Sequence, residues 1–242
     1  MGLAAALLGL AAASYVPLPA GTLSSVLARD TDLEPTRIAA FELRETPVTR
    51  TEFRQFLSTH GEWQPDRVPA VFAGPGYLQQ GVDEGDAPVT AVSWFAAQAY
   101  CEAEVEGGRL PTWHEWEYAA AADATRTDAR GDPAWLARIL GWYARPADGP
   151  LPAVGGAANV YGVRDLHGLV WEWVEDFNAL LVNADSRSAG DPDLLKFCGA
   201  GAIDLQDRQN YAVLMRVALL SSLGGGDSTG SLGFRCAREV WR

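Results

Sequence analysis

A chain of 242 residues with a formal net charge of −12 at pH 7 has room for one large domain or two small ones. Its acidic balance excludes nucleic acid and anionic membrane surfaces as partners, because phosphate would be repelled. Nine tryptophans promise large apolar anchors, and no basic run, heptad series or internal repeat accompanies them.

Residues 1–20 are apolar, rich in alanine and leucine, and end in a proline-bearing patch. The apolar run of residues 3–13 is too short to span a bilayer as a helix. It reads as the hydrophobic region of a secretory signal, although no Lys or Arg precedes Arg29. The expectation is a signal peptide over residues 1–20, a linker over 21–34 and one domain over 35–242, in a periplasmic or secreted protein. The alternative is a cytoplasmic protein with an N-terminal helix. No cysteine near residue 20 offers a lipid attachment point, so no stable membrane anchor remains after signal removal.

The stretch from Ala39 to Leu43 alternates loosely and predicts a strand. Thr49 then caps a helix whose Phe53, Phe56 and Leu57 share one face, and His60-Gly61 stops it. Residues 61–88 hold Pro65, Pro69, Pro75 and Pro88 and read as a long surface loop. Ser93 caps a second helix, with Trp94, Ala97, Tyr100 and Cys101 on its buried side, so Cys101 reads as a core thiol rather than a catalytic one. Gly107-Gly108 ends that helix. Thr112 with Glu115 forms a capping box, Trp116, Ala119 and Ala120 follow as a buried stripe, and His114 sits solvated in the first turn.

Residues 123–160 read as loop, with a short helix between Trp135 and Trp142 after Asp132-Pro133. The segment from Tyr211 to Leu223 is apolar around Arg216, and Leu232 to Ala237 predicts a last strand. This is an α+β pattern with little regular structure. The cysteines, Cys101, Cys198 and Cys236, lack metal-ligand spacing. One disulfide plus a buried thiol suits an oxidising compartment, and the sequence leaves the pairing open.

Residues 165–173 read DLHGLVWEW. Trp171 and Trp173 share one face of an extended segment and Glu172 takes the other. A carboxylate held against so much apolar surface must pair, hydrogen-bond or hold a cation.

The ordered motifs form a set: Pro47-Val48-Thr49 with Phe53 and Phe56; Val92-Ser93-Trp94 with Ala99-Tyr100-Cys101; Arg109-Leu110-Pro111-Thr112 with Glu115-Trp116-Glu117-Tyr118; Tyr161-Gly162 with residues 165–173; and Leu232-Gly233-Phe234-Arg235. Together they resemble the sulfatase-modifying-factor family, founded on the formylglycine-generating enzyme, over roughly residues 35–240. The resemblance implies a single α+β domain related to C-type lectins. It also implies an oxidation of substrate cysteine at copper(I) held by two thiolates, ligands soft enough for that metal. Aligned on Tyr211 and on Gly233-Phe234-Arg235, the two thiolate positions are Ala212 and Val217, and neither can bind copper. Cys198 and Cys236 align elsewhere, Cys236 with a structural cysteine. The family's iron-dependent sulfoxide synthases draw iron-binding histidines from an added helical domain, and His60, His114 and His167 do not supply that set. Periplasmic accessory proteins, including ones encoded with copper nitrite reductases, and siderophore tailoring proteins are nearer branches.

The resemblance further implies a structural calcium, held by the side chains of Asp165 and Glu172 and the carbonyls of Gly168 and Val170, hard oxygen ligands suited to that ion. The competing reading pairs Glu172 with an arginine such as Arg235 or Arg109. Asn210, Tyr211, Arg216, Ser221 and Ser222 come from the segment that lines the family's active site and are the candidate binding pocket. The expected function is an exported accessory or binding module that takes a peptide, a protein client or a small molecule in a central groove. The alternative is an oxidoreductase of altered chemistry that matures a protein, such as a copper nitrite reductase or a sulfatase-type client, or a small molecule.

Overall fold

The computed structural model describes residues 13–25, 35–79, 81–144, 149–180 and 211–240. The chain opens with four short strands: β1 (Tyr15–Leu18), β2 (Gly21–Leu23), β3 (Thr36–Ile38) and β4 (Phe41–Arg44). β1 runs antiparallel to β4, with Leu18 opposite Phe41, and β2 runs antiparallel to β3. The expected boundaries place β1 in a signal peptide and β2 in a linker; in the structure β1 joins the sheet with β4, β2 pairs with β3, and Leu18 and Leu23 are buried in the core. The reason is that a short apolar segment reads alike as a leader and as a strand; the partner that decides lies more than 20 residues on. Residues 1–12 and 26–34 lie outside the described residues.

Helix α1 (Arg50–Thr59) starts where Thr49 and Glu52 cap each other's backbone N–H groups, and it buries Phe53, Phe56 and Leu57. A 3₁₀ turn at Gly61–Trp63 follows. Helix α2 (Trp94–Glu104) is capped by Ser93, whose hydroxyl accepts the Ala96 N–H. After β5 (Gly108–Arg109), helix α3 (Trp113–Ala120) repeats the capping box with Thr112 and Glu115. Helix α4 (Pro133–Tyr143) is held by the Asp132 carboxylate and has proline in its first turn, where no N–H is needed. Strand β6 (Trp171–Glu172) leads to a 3₁₀ turn at Phe177–Ala179, and helix α5 covers Tyr211–Ser221. The predicted last strand is two, β7 (Leu232–Gly233) and β8 (Ala237–Glu239).

Strands β1, β4, β8 and β5 form one antiparallel sheet in that order, while β6 and β7 form a separate parallel pair. The main core lies between the sheet and helices α1 to α3 and holds Phe41, Phe53, Trp113, Trp116, Trp173 and Phe234. Val92-Ser93-Trp94 is stitched to the β6 segment by reciprocal indole bonds. Trp173 Nε1 donates to the Val92 carbonyl at 2.8 Å, and Trp94 Nε1 donates to that of Val174 at 2.9 Å. A Cβ on Gly233 would stand 2.5 Å from the Val89 carbonyl oxygen, so the glycine permits this close approach of β7.

Cys101 and Cys236 form a disulfide with Cα atoms 5.4 Å apart, tying α2 to the start of β8. Cys101 is in the core as expected, but as a cystine rather than a thiol, because β8 returns beside α2. Cys198 lies outside the described residues. Among those residues no helix is long and apolar enough to cross a membrane.

Candidate functional site

Glu172 is fully buried, and its charge is met inside the protein. Arg235, also fully buried, grips it side-on: Nε donates to Oε2 at 2.9 Å and Nη2 to Oε1 at 2.8 Å. Trp116 Nε1 adds a bond to Oε2 at 2.8 Å. The remaining guanidinium donors of Arg235 reach the carbonyls of Arg44, Glu45 and Arg164. The β6–β7 pairing creates this geometry, because it puts Glu172 opposite Gly233 and the next turn carries Arg235 inward. Arg109, the other arginine considered, is instead held by both oxygens of Glu115 at 2.7 Å.

Asp165 faces elsewhere. It sits at φ 59°, and its carboxylate accepts the backbone N–H groups of Gly155 and Gly156, the first at 2.7 Å. Gly168 occupies an exposed turn at φ 100° and Val170 is buried. A calcium held by both carboxylates would need them turned to one point. Here one holds a guanidinium and an indole, and the other holds two amides. Among the described residues no group of three His, Cys, Asp or Glu side chains is placed to hold a metal ion. The arrangement fits a guanidinium rather than calcium at Glu172, and the counter-charge asked of a cation comes from Arg235.

Of the candidate pocket, Asn210 lies outside the described residues and Tyr211 begins α5. Arg216 turns inward with 1% of its surface exposed, and its guanidinium carbon lies 3.5 Å from the centre of the Trp116 ring. Its Nη2 donates to the Glu172 carbonyl. The hydroxyls of Ser221 and Ser222 donate back to the helix, to the carbonyls of Ala218 and Leu219. Val217, at a thiolate position of the resemblance, is 2% exposed and packs in the main core.

A groove of about 430 Å³ opens elsewhere, between α2 and residues 62–72, lined by Trp63, Phe72, Trp94, Phe95, Gln98 and Glu102 among others. Its rings meet at steep angles, Phe72 against Phe95 at 72° and Trp94 against Phe95 at 86°. Phe72 is 40% exposed. Arg216, Ser221 and Ser222 are not among its lining residues. Trp63 and Phe72 belong to the stretch read as a long surface loop; their signal is large aromatics among prolines, where a purely solvated loop has no use for them.

Behind Glu172, His167 contributes a buried neutral ring. Nε2 bonds to the Ala120 carbonyl at 2.9 Å, Nδ1 is out of solvent without a partner, and Trp116 and Trp135 stand edge-on to it. Burial pushes its pKa down to about 4, helped by the positive charge of Arg216 and opposed by the Ala120 carbonyl. Below about pH 6.5 the unfolded chain takes up a proton that the folded chain refuses, so stability falls with falling pH until about pH 4. The expected loss is about 2–3 kcal/mol over that window. Urea unfolding at pH 7, 5.5 and 4 measures it. A His167→Gln protein should show a shallower dependence, and a profile equal to wild type would refute the assignment.

Residues 9–240 match the sulfatase-modifying factor enzyme 1-like domain, and the chain belongs to that family. It is 32% identical to the inactive C-alpha-formylglycine-generating enzyme 2 of Mus musculus over 221 residues, 84% of this chain and 65% of that protein. It is 36% identical to the formylglycine-generating enzyme of Streptomyces coelicolor over 171 residues, 63% of this chain and 53% of that one. With the hercynine oxygenase of Mycolicibacterium smegmatis it shares 34% identity over 162 residues, 56% of this chain and 37% of that one. The chain thus spans only 37–65% of the length of these curated relatives. The structure of PvdO from Pseudomonas aeruginosa superimposes with a TM-score of 0.52 at 18% identity, covering 93% of this chain and 94% of that one, a likeness of fold.

Proposed function

We propose that this protein is an exported accessory or binding module of the sulfatase-modifying-factor family and not a copper-thiolate oxidase. One observation carries the reading. On α5 the positions matching the two thiolates are Ala212 and Val217, and Val217 is packed into the core, so no soft ligand pair is available to copper(I) there. The relative of Mus musculus whose name calls it inactive is consistent with such a member. The aromatic groove beside α2 supports binding of a client or ligand, since an open apolar cleft of that volume accepts a side chain or a small molecule. The buried disulfide supports an oxidising compartment. A leader would have to be cut before Tyr15, since β1 belongs to the sheet.

The test is metal analysis of the purified protein, with and without chelation, together with incubation with copper(I), oxygen and a cysteine-containing sulfatase-type peptide. The expected result is no stoichiometric copper, no loss of the peptide thiol and an unchanged Tm on chelation. Stoichiometric copper or iron, or conversion of the peptide cysteine, would favour an oxidoreductase of altered chemistry and overturn the binding-module reading.

A further inference from the structure

Two buried guanidiniums meet at one buried glutamate, Arg235 on its carboxylate and Arg216 on its backbone carbonyl. Arg235 has all its donor groups engaged, by Glu172 and by three carbonyls. Arg216 lies beside it with one hydrogen bond, from Nη2 to the Glu172 carbonyl, while its Nε–H is buried without a partner. No carboxylate among the described residues lies within ion-pair distance of Arg216, and both oxygens of Glu172 already bind Arg235. The face of Trp116 attracts the cation but supplies no net charge.

The groups around Arg216 do not supply the missing charge. His167 is neutral, and burial pushes Tyr143 up to about 12, so its phenol keeps its proton. Arg216 stays protonated at neutral pH, although burial lowers its pKa to about 10. Among the described residues the cluster therefore holds an excess of one positive charge in a low-dielectric setting. An unpaired buried ion is strongly unfavourable, and protein interiors meet that cost with a counter-ion. The excess of one charge asks for a monoanion. Where the cluster nears the surface, Trp142, Tyr143 and Trp171 pack as a half-buried aromatic ledge, with ring centres 4.5 to 5.7 Å apart. Such a ledge suits a ligand with an apolar or aromatic body.

We infer that Arg216 is the receptor for a carboxylate carried on an apolar body, bound against the Trp142–Tyr143–Trp171 ledge between α4 and α5. This names the ligand class for the binding-module reading and rests on it. Carboxylate geometry matches the free side of a guanidinium, which can offer two parallel N–H donors. Arg216 stands one position from Val217, so the ligand group would meet the protein on the helix turn where the resemblance expects thiolate chemistry.

The experiment is a thermal-shift titration of the full chain with sodium phenylacetate and sodium acetate, against sodium chloride and sodium sulfate at equal ionic strength. Wild type should show a saturable rise in Tm with phenylacetate, about 5–10 °C at a hundredfold excess over Kd, and a smaller one with acetate. The Arg216→Met protein should lose the rise and keep at least wild-type Tm without ligand, since an unpaired buried charge is gone. Calorimetric titration of wild type with phenylacetate should give one site and does not depend on the variant folding. No saturable shift beyond chloride, a shift that survives in Arg216→Met, or a larger effect of sulfate would each overturn the inference. Those outcomes leave the binding-module reading standing, while copper oxidase activity would remove that reading without deciding the carboxylate site.

Discussion

Glu172→Gln is expected to lower stability by about 3–5 kcal/mol, a fall in Tm of roughly 10 °C. The change leaves Arg235 and Arg216 buried with no compensating carboxylate, both within reach of the same β6 residue. The amide can still accept from Trp116 but cannot neutralise a guanidinium. Urea unfolding at neutral pH measures the loss. The double variant Glu172→Gln with Arg235→Met should recover part of it, because removing both members of a buried pair costs less than removing one. A Glu172→Gln protein as stable as wild type would show that the pair does not carry the β6–β7 region. This prediction also separates the ion-pair account from a calcium account, since only the latter makes the loss depend on added calcium.

Opening the disulfide has an effect of similar size. The bond joins residues 135 apart, and constraining so long a loop in the unfolded chain contributes about 3–5 kcal/mol. Cys101→Ser with Cys236→Ser should therefore unfold at a clearly lower urea concentration with little change in m-value. Thiol titration of the unreduced, denatured protein should find one reactive group, Cys198, and three after reduction. Three thiols before reduction would refute the pairing. Both sulfurs are inaccessible in the fold, so mild reductant should act only as the protein opens.

Local chemistry was legible along the chain. Thr49 with Glu52, Ser93, and Thr112 with Glu115 each start a helix because a side-chain oxygen and the backbone N–H groups it satisfies lie within three residues of one another. The buried faces of α1 and α3 follow from the same short-range periodicity. Asp132-Pro133 likewise marks the start of α4. The ordered motifs carried the family and the α+β fold, because each residue of the set has a structural duty: Trp173 on Val92, Arg235 on Glu172, Gly233 against Val89.

What the sequence does not carry is long-range. The pairing of β1 depends on β4, more than 20 residues on, and nothing within residues 1–20 indicates a sheet edge. Residues 232–237 read as one strand because no proline or polar turn interrupts them, yet the segment is divided between β7 and β8, which serve two sheets. The groove beside α2 was missed because Trp63 and Phe72 become one surface with Trp94 and Phe95 only when the loop folds back on the helix.

The sequence by itself determined the capped helices, the tryptophan anchors and the family, all of which depend on residue identity or on neighbours within one helical turn. Only the tertiary structure decided that Glu172 meets Arg235 rather than Arg109, that Cys101 meets Cys236, and that no carboxylate among the described residues comes within ion-pair distance of Arg216. Charge and covalent pairing of that kind depend on which distant segments share the interior, and burial then enforces it, because an ion removed from water must find its partner wherever the fold has put one.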